Sequence, residues 1–320
     1  MKSIYSMRLR ELVEEQGLNV AYRSTDYDKI TTSNINVARP SLQLVGFFDY
    51  FEQDRIRLWG NTETAFIRTL PPERRREVLD GLLSRKIPAL ILCNYDKVLQ
   101  PDNPLYQACE RNDVTLLTTA VDTSEMISRL SDSLRYALSP RTTVHGVLVQ
   151  VHGEGMLITG ESGIGKTEVA LELVKRGHRL VADDAVELRR TSTHVLEGCS
   201  PPMIRYLMEL RGVGLIDVRR IFGVGAVLPK ERLDLVVDFI RWKENMEYDR
   251  LGLEEETCTF LDVEVPKITI PVAPARNLAI ILEVAAINHR QRKLGYNTAE
   301  EFLRRHDAGI DSGSDAAFRN

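Results

Sequence analysis

One local string in this 320-residue chain has residue types and spacing that point directly to chemistry. Gly160-Glu161-Ser162-Gly163-Ile164-Gly165-Lys166-Thr167 fits the phosphate-loop pattern G-x-x-x-x-G-K-[ST]. Glycines let the backbone wrap closely around a polyphosphate and take positive φ, so that successive N–H groups point inward at its oxygens. A helix leaving the loop adds its positive N-terminal end. Lys166 would supply a mobile charge for the β- and γ-phosphates, and the Thr167 hydroxyl a ligand for Mg²⁺. The flanks agree with this reading: Gly155–Thr159 reads as a strand entering the loop, and Glu168–Arg176 carries helical apolar spacing.

Other candidates lie around the loop. Arg179–Asp183 reads as the next strand, and it ends in the acids Asp183 and Asp184. A carboxylate there can hold Mg²⁺, directly or through water, or take a proton from an acceptor hydroxyl. Adjacent strand residues face opposite ways, so the two acids cannot share one role if the strand continues through both. His145 lies on the preceding strand, where a lone histidine among apolar residues is more often a hydrogen-bonded core residue. Met208–Asp217 places Glu209 and Arg211 ahead of a Gly-x-Gly bend. Glu209 could complete an Mg²⁺ shell and Arg211 could bind phosphate, although the string reads equally as a β-turn with surface charges. Arg250, after the charged stretch Arg241–Glu247, is suited to neutralising a transferring phosphoryl group, yet a single arginine there is ordinarily a surface residue.

These residues need elements to position them. From Leu42 to Ser131, short apolar runs alternate with helical patterns. Strands are expected at Leu42–Tyr50, Arg55–Trp59, Ala89–Cys93 and Val114–Thr118, and helices at Pro72–Arg85, Leu105–Arg111 and Thr123–Ala137. This predicts a small α/β domain with an open sheet and no catalytic constellation. Ser139-Pro140-Arg141 reads as a linker, which places a boundary near residues 131–140 and domains at 1–132 and 133–320. In the second domain Thr143–Val151 is β-rich, with later strands at Leu233–Ile240, Cys258–Val263 and Ile268–Val272. Two helices, Arg276–Arg292 and Thr298–His306, close the chain.

Composition narrows the function class. The 42 Lys+Arg against 46 Asp+Glu give a net charge of −4, which argues against a nucleic-acid-coating protein. Cys93, Cys109, Cys199 and Cys258 are scattered without a CxxC pair, as expected of reduced thiols in a cytoplasmic protein. The amino end lacks an apolar signal core, and no uncharged stretch reaches the ~20 residues that span a bilayer. Neither nucleic acid nor membrane is therefore an expected partner.

Taken together, the strings resemble the bacterial HPr kinase/phosphorylase family. The resemblance is most specific over Val144–Arg292. It rests on VHGVLVQVHGEGMLITGESGIGKTE, GHRLVADDAVE, MELRGVGLIDV, Asp249-Arg250-Leu251-Gly252, and VPKITIPV followed by RNLAIILEVAAINHR. Over residues 1–130 it is looser and rests on strings such as NINVARPSLQLVGFFDYF. It implies a small N-terminal α/β domain of unclear role, and a C-terminal P-loop catalytic domain of phosphoenolpyruvate-carboxykinase-like type. The implied activity is phosphorylation of a serine of HPr, the phosphocarrier of the sugar phosphotransferase system, using ATP or pyrophosphate. The reverse reaction uses inorganic phosphate and releases pyrophosphate, and the two together regulate carbon catabolite repression.

Carried onto this chain, the resemblance makes Gly160–Thr167 the nucleotide loop, and His145 and Lys166 catalytic. The acid–base carboxylate becomes Asp184 with Asp183 adjacent, the Mg²⁺ ligands Thr167 and Glu209, and the catalytic arginine Arg250. An aspartate working in both directions needs a raised pKa, which a neighbouring acid encourages. Pro271-Val272-Ala273-Pro274-Ala275-Arg276 corresponds to the segment associated with dephosphorylation. Family members usually carry a basic residue and a glycine where Ala273 and Ala275 stand, so weakened phosphorolysis is expected. The family is a cytoplasmic homohexamer. Ile280, Ile281, Val284 and Ile287, spaced for one helix face, could pack on a neighbour or in the core. Two other readings remain: a small-molecule kinase on a related core, and a nucleotide-gated regulatory module in which both aspartates are dispensable.

Overall fold

Short Leu, Ile and Val runs bounded by turn residues are too brief for helices and become strands buried on both faces. A computed structural model describes residues 5–242, 256–273 and 276–313, and the chain divides into two units between Ser139 and Pro140. In the first unit β1 (Met7–Arg8) leads into α1 (Leu9–Gln16) and β2 (Asn19–Tyr22), and β3 (Thr31–Thr32) pairs back onto β1. Then come β4 (Arg57–Trp59), α2 (Asn61–Thr69), α3 (Pro72–Leu83), β5 (Leu90–Leu92), α4 (Pro104–Asn112), β6 (Leu116–Thr118) and α5 (Thr123–Ala137).

Strands β4, β5 and β6 run parallel, with β2 antiparallel at the edge, in the order β2-β6-β5-β4. Leu58, Ile91 and Leu117 pack on Met126, Leu130 and Leu134 of α5. Trp59, Leu90 and Leu116 face Leu79, Leu82 and Leu83 of α3 on the other side. Asp122 caps α5, accepting from the amides of Ser124 and Glu125, so this helix starts where its sequence signal places it.

The strand expected at Leu42–Tyr50 does not form. Residues Leu42–Val45 make a single 3₁₀ turn that ends at Gly46, whose φ is +91°. The aromatic run is apolar for another reason. Phe48 and Phe51 meet edge to face at 5.7 Å, beneath the guanidinium groups of Arg85 and Arg57.

The second unit contains β7 (Arg141–His145), β8 (Val147–Val151), β9 (Glu154–Gly160), α6 (Lys166–Lys175), β10 (Arg179–Ala182), β11 (Ala185–Ser192), β12 (Val195–Cys199), β13 (Leu207–Leu210) and β14 (Gly214–Asp217). There follow α7 (Val218–Phe222), β15 (Lys230–Arg232), β16 (Leu235–Arg241), β17 (Glu256–Phe260), β18 (Val263–Val272), α8 (Leu278–Lys293) and α9 (Thr298–Gly313).

A six-stranded sheet, β10-β8-β9-β16-β18-β17, is parallel only through β9, β16 and β18. A four-stranded antiparallel sheet, β15-β12-β11-β7, lies against it. Strand alternation builds both interfaces. Val147, Val149, Met156 and Ile158 face Ala170 and Leu173 of α6 and Leu282 and Ala286 of α8. Leu148 and Leu157 face Val186, Leu188 and Leu196 of the smaller sheet.

The expected single stretch Thr143–Val151 is instead two strands in different sheets. They part at Gly146, where an added Cβ would lie 2.7 Å from the Ile158 carbonyl oxygen. The strand expected at Cys258–Val263 is likewise broken. Leu261 and Asp262 take φ of +50° and +62° and turn β17 back onto β18, which runs unbroken through Val272. Helix α8 begins at Leu278 rather than Arg276, because the Asn277 side chain caps it by accepting from the Ile280 amide. Among the described residues, no helix is long and apolar enough to cross a membrane.

Gly155 shows how tightly the layers are set. It exchanges backbone hydrogen bonds with Asp234, donating to the carboxylate (3.0 Å) and accepting from the amide (2.9 Å), and an added Cβ would lie 1.8 Å from the Arg232 carbonyl oxygen. Gly155→Ala must displace backbone, and we expect it to cost about 3 kcal/mol. Thermal unfolding of the variant checks this; an unchanged Tm would contradict the packing.

Candidate functional site

Strand β9 ends at Gly160 and α6 begins at Lys166, so the Gly-rich string forms the connection between them. Gly160 has φ of +132° and abuts the Phe239 carbonyl oxygen, which an added Cβ would meet at 2.4 Å. Gly163 has φ of +77° and lies under Arg211, whose guanidinium nitrogen is 2.8 Å from where a Cβ would be. Both positions therefore need glycine. Ile164 anchors the loop by burying its side chain in the core beneath.

Lys166 is buried and donates from Nζ to the carbonyls of Gly160 (2.8 Å) and Glu161 (3.0 Å). Burial lowers its pKa, while the charges of Asp184, Asp183 and Glu168 oppose that shift. The next residue, Thr167, donates from Oγ1 to Asp183 at 3.0 Å, and the Glu209 amide donates to the other Asp183 oxygen at 3.3 Å. Asp183 is buried. Burial pushes its carboxyl above the ordinary aspartate range, the nearby Asp184 charge adds to this, and the hydrogen bonds from Thr167 and Glu209 offset part of it.

Strand β10 stops at Ala182, so the two acids occupy a turn rather than a continuing strand. They still diverge. Asp184 takes φ of +66° and leaves its side chain 75% exposed, with an oxygen 3.1 Å from Nδ1 of His145, itself 55% exposed. The register of β7 against β11 makes this pair, setting Ala185 opposite His145 while the Gly146 amide donates to the Asp184 carbonyl. His145 is thus not the core residue that its apolar neighbours suggest.

A cleft of about 170 Å³ gathers these groups. His145, Ser162, Gly163, Gly165, Lys166, Thr167, Asp183, Asp184, Glu209 and Arg211 all line it. Glu209 and Arg211 arrive on the β13–β14 hairpin, in which Glu209 pairs with Leu215. Glu161 turns outward to an ion pair with Arg241 (2.9 Å), both side chains being exposed. Sequence reading missed that contact; the parallel pairing of Phe239 with Gly160 creates it, and no local pattern announces it.

Of the segment Pro271–Arg276, which the resemblance links to dephosphorylation, the described residues do not line the cleft. Pro271 and Val272 end β18 and Ala273 follows them, while Arg276 lines a groove with Glu172 and with Glu168, a residue of α6 that lines the cleft as well. Arg250, Pro274 and Ala275 lie outside the described residues.

The donor set beside the loop consists of the Thr167 hydroxyl and the carboxylates of Asp183 and Glu209, all hard oxygens of the kind that suit Mg²⁺. A glycine-lined phosphate cradle, a buried ammonium, such a cation site and an exposed carboxylate at the mouth can together carry a phosphoryl group to an incoming hydroxyl.

Known proteins resemble the chain over nearly its full length. A family model described as HPr Serine kinase C-terminal domain matches residues 136–306, and one described as HPr Serine kinase N terminus matches residues 7–134. A curated HPr kinase/phosphorylase of Caldicellulosiruptor bescii is 43% identical over 306 residues, covering 96% of this chain and 97% of its own. That of Caldanaerobacter subterraneus subsp. tengcongensis is 47% identical over 291 residues, covering 91% and 94%. A solved Hpr(Ser) kinase/phosphatase from Coxiella burnetii shares 35% identity, covering half of this chain and 98% of that chain, at a TM-score of 0.46.

The buried carboxyl sets a stability prediction. A group whose folded pKa is raised contributes stability that is fully present in acid and lost as pH rises through the raised value. At neutral pH, ionised Asp183 therefore costs the ligand-free fold stability. Asp183→Asn, nearly isosteric, should raise Tm by a few degrees near pH 7, and the advantage should shrink as pH falls toward about 4. Thermal unfolding across that range checks it; a variant less stable at neutral pH would show that Asp183 is not the strained group.

Proposed function

The chain belongs to the HPr serine kinase family, and we propose that the cleft under Asp184 is where it phosphorylates a serine of HPr and reverses that reaction. The enzyme is a protein-serine kinase and phosphorylase, a phosphotransferase that takes a nucleotide substrate. The observation that carries the placement is the division of labour across a few ångströms. A buried ammonium and three hard oxygen ligands form the floor, and an exposed Asp–His pair forms the mouth.

In the forward direction ATP, or pyrophosphate, lies with its phosphates on Gly160–Thr167. Lys166 exchanges its two carbonyl acceptors for phosphate oxygens. Thr167 and Glu209, with Asp183 behind them, would hold Mg²⁺, which would supply neutralising charge when bound. Asp184 takes the proton of the serine hydroxyl as that oxygen attacks the terminal phosphorus, and His145 Nδ1 steadies the carboxylate.

In the reverse direction inorganic phosphate attacks the phosphoserine phosphorus. Protonated Asp184 returns its proton to the leaving serine oxygen, and pyrophosphate departs. Arg250, assigned by the resemblance, would neutralise the group in flight. We assign the first unit no part in this chemistry.

The enzyme is further proposed to act in the cytoplasm as a homohexamer. The supporting feature is α8, where Ile280, Val284 and Ile287 are exposed along one side. Ile281 does not share that face: it packs against the core that Leu278 and Leu282 enter.

Asp184→Asn should lower both the kinase and the phosphorolysis rate by about 10²–10⁴-fold and leave ATP binding intact. Labelled ATP with HPr, followed by added phosphate, measures both directions; undiminished transfer would remove Asp184 from the role. Restoring a cation with Ala273→Arg should favour phosphorolysis over the kinase reaction on the order of tenfold, the ~1.5 kcal/mol worth of a charged hydrogen bond. An unchanged partition would show that Ala273 does not set the balance.

A further inference from the structure

At the end of β9 remote from the phosphate loop, three ligand-bearing side chains converge from three elements. His152 sits in the turn between β8 and β9, His178 just precedes β10, and Glu283 lies on α8. The ligand atoms of all three lie within 4.8 Å of one another. Nε2 of His178 is 3.0 Å from Oε1 of Glu283, and the two imidazoles stand edge to face with centroids 4.8 Å apart. None of the three lines the catalytic cleft.

We propose that His152, His178 and Glu283 form a Zn²⁺ site of the two-imidazole, one-carboxylate kind, with water in the fourth position. Borderline-soft Zn²⁺ accepts this donor set, whereas Mg²⁺ favours all-oxygen surroundings. Tetrahedral bonds of roughly 2.0–2.1 Å put ligand atoms about 3.4 Å apart. The His178–Glu283 pair already stands near that spacing. Only His152 has to move inward, and it is the exposed member, on a turn of two residues with φ of +49° and +86° (His152 and Gly153).

Glu283 is prepared as a ligand. Arg176 donates to both its oxygens, to Oε2 at 2.7 Å and Oε1 at 3.0 Å, and holds the carboxylate in one plane. Those bonds, with the one to His178, keep its pKa at about 2, so that no proton competes for it. The cation takes the place of the hydrogen between His178 Nε2 and Glu283 Oε1, and His178 then carries its proton on Nδ1. Arg176 keeps its bond to Oε2 as an outer-shell support, and its charge is shared with Glu172 at 3.8 Å. The site would clasp the β8–β9 turn, the entry to β10 and α8 together. Its role is to brace the two strands whose far ends carry the phosphate loop and Asp183, rather than to touch substrate.

The test uses the full chain after chelator treatment, titrated with Co²⁺ as a visible reporter and then with Zn²⁺. Nitrogen ligands in a low-coordinate site give Co²⁺ an intense visible band, which an all-oxygen octahedral site does not. The expected result is a band saturating at a single equivalent, displaced by Zn²⁺, together with a Zn²⁺-dependent rise in Tm. His152→Ala, an exposed turn substitution, should abolish both while leaving kinase activity intact, and Asp183→Asn should retain both. A band that survives His152→Ala, one lost in Asp183→Asn, or its absence from the parent protein overturns the proposal.

Discussion

The cleft beside the Gly-rich loop depends on one buried carboxylate. Asp183 accepts from the Thr167 hydroxyl at the start of α6 and from the Glu209 amide on the β13–β14 hairpin. It thereby joins the phosphate loop, the crossover between the two sheets and the hairpin that bears Glu209 and Arg211. Desolvating an anion is costly, and two neutral hydrogen bonds only partly offset it. The raised carboxyl shows that residual cost. A divalent cation among Thr167, Asp183 and Glu209 would relieve it, so the group that strains the fold is also one suited to holding such a cation.

The crossover itself is the second determinant. The chain leaves the larger sheet after Ala182 and enters the smaller one at Ala185, and it leaves the smaller at His145 for the larger at Val147. Two such exits lie side by side, bridged by the bond from the Gly146 amide to the Asp184 carbonyl. At these corners Asp183 turns inward to Thr167 and Glu209, whereas His145 and Asp184 project toward solvent and find each other. A left-handed φ at a non-glycine residue, as at Asp184, is the local strain by which that geometry is held.

What the residues disclosed follows the range of the interactions involved. The loop was legible because its chemistry is contiguous, and α5 because Asp122 and the apolar spacing of Met126, Leu130 and Leu134 agree locally. The pairing of His145 with Asp184 spans 39 positions and no local pattern announces it; the family resemblance marked each residue as catalytic without joining the two. Errors arose where apolar character had a non-sheet cause, as with Phe48 and Phe51 under arginines, or where a turn hid inside a β-rich run, as at Leu261-Asp262. Ile281 was misplaced because a helix with apolar residues on more than one side gives no single face to its period.

Lys166 carries one last implication. Its ammonium is already satisfied by two carbonyls of the loop it serves. An ammonium that turned these two donors to a phosphate would trade old partners for new, and the net gain would be much smaller than the gross attraction. Such a swap caps how firmly either reactant or product is gripped. For a catalyst that must run in both directions, a nearly level free-energy profile between its bound states is worth more than tight binding of either one.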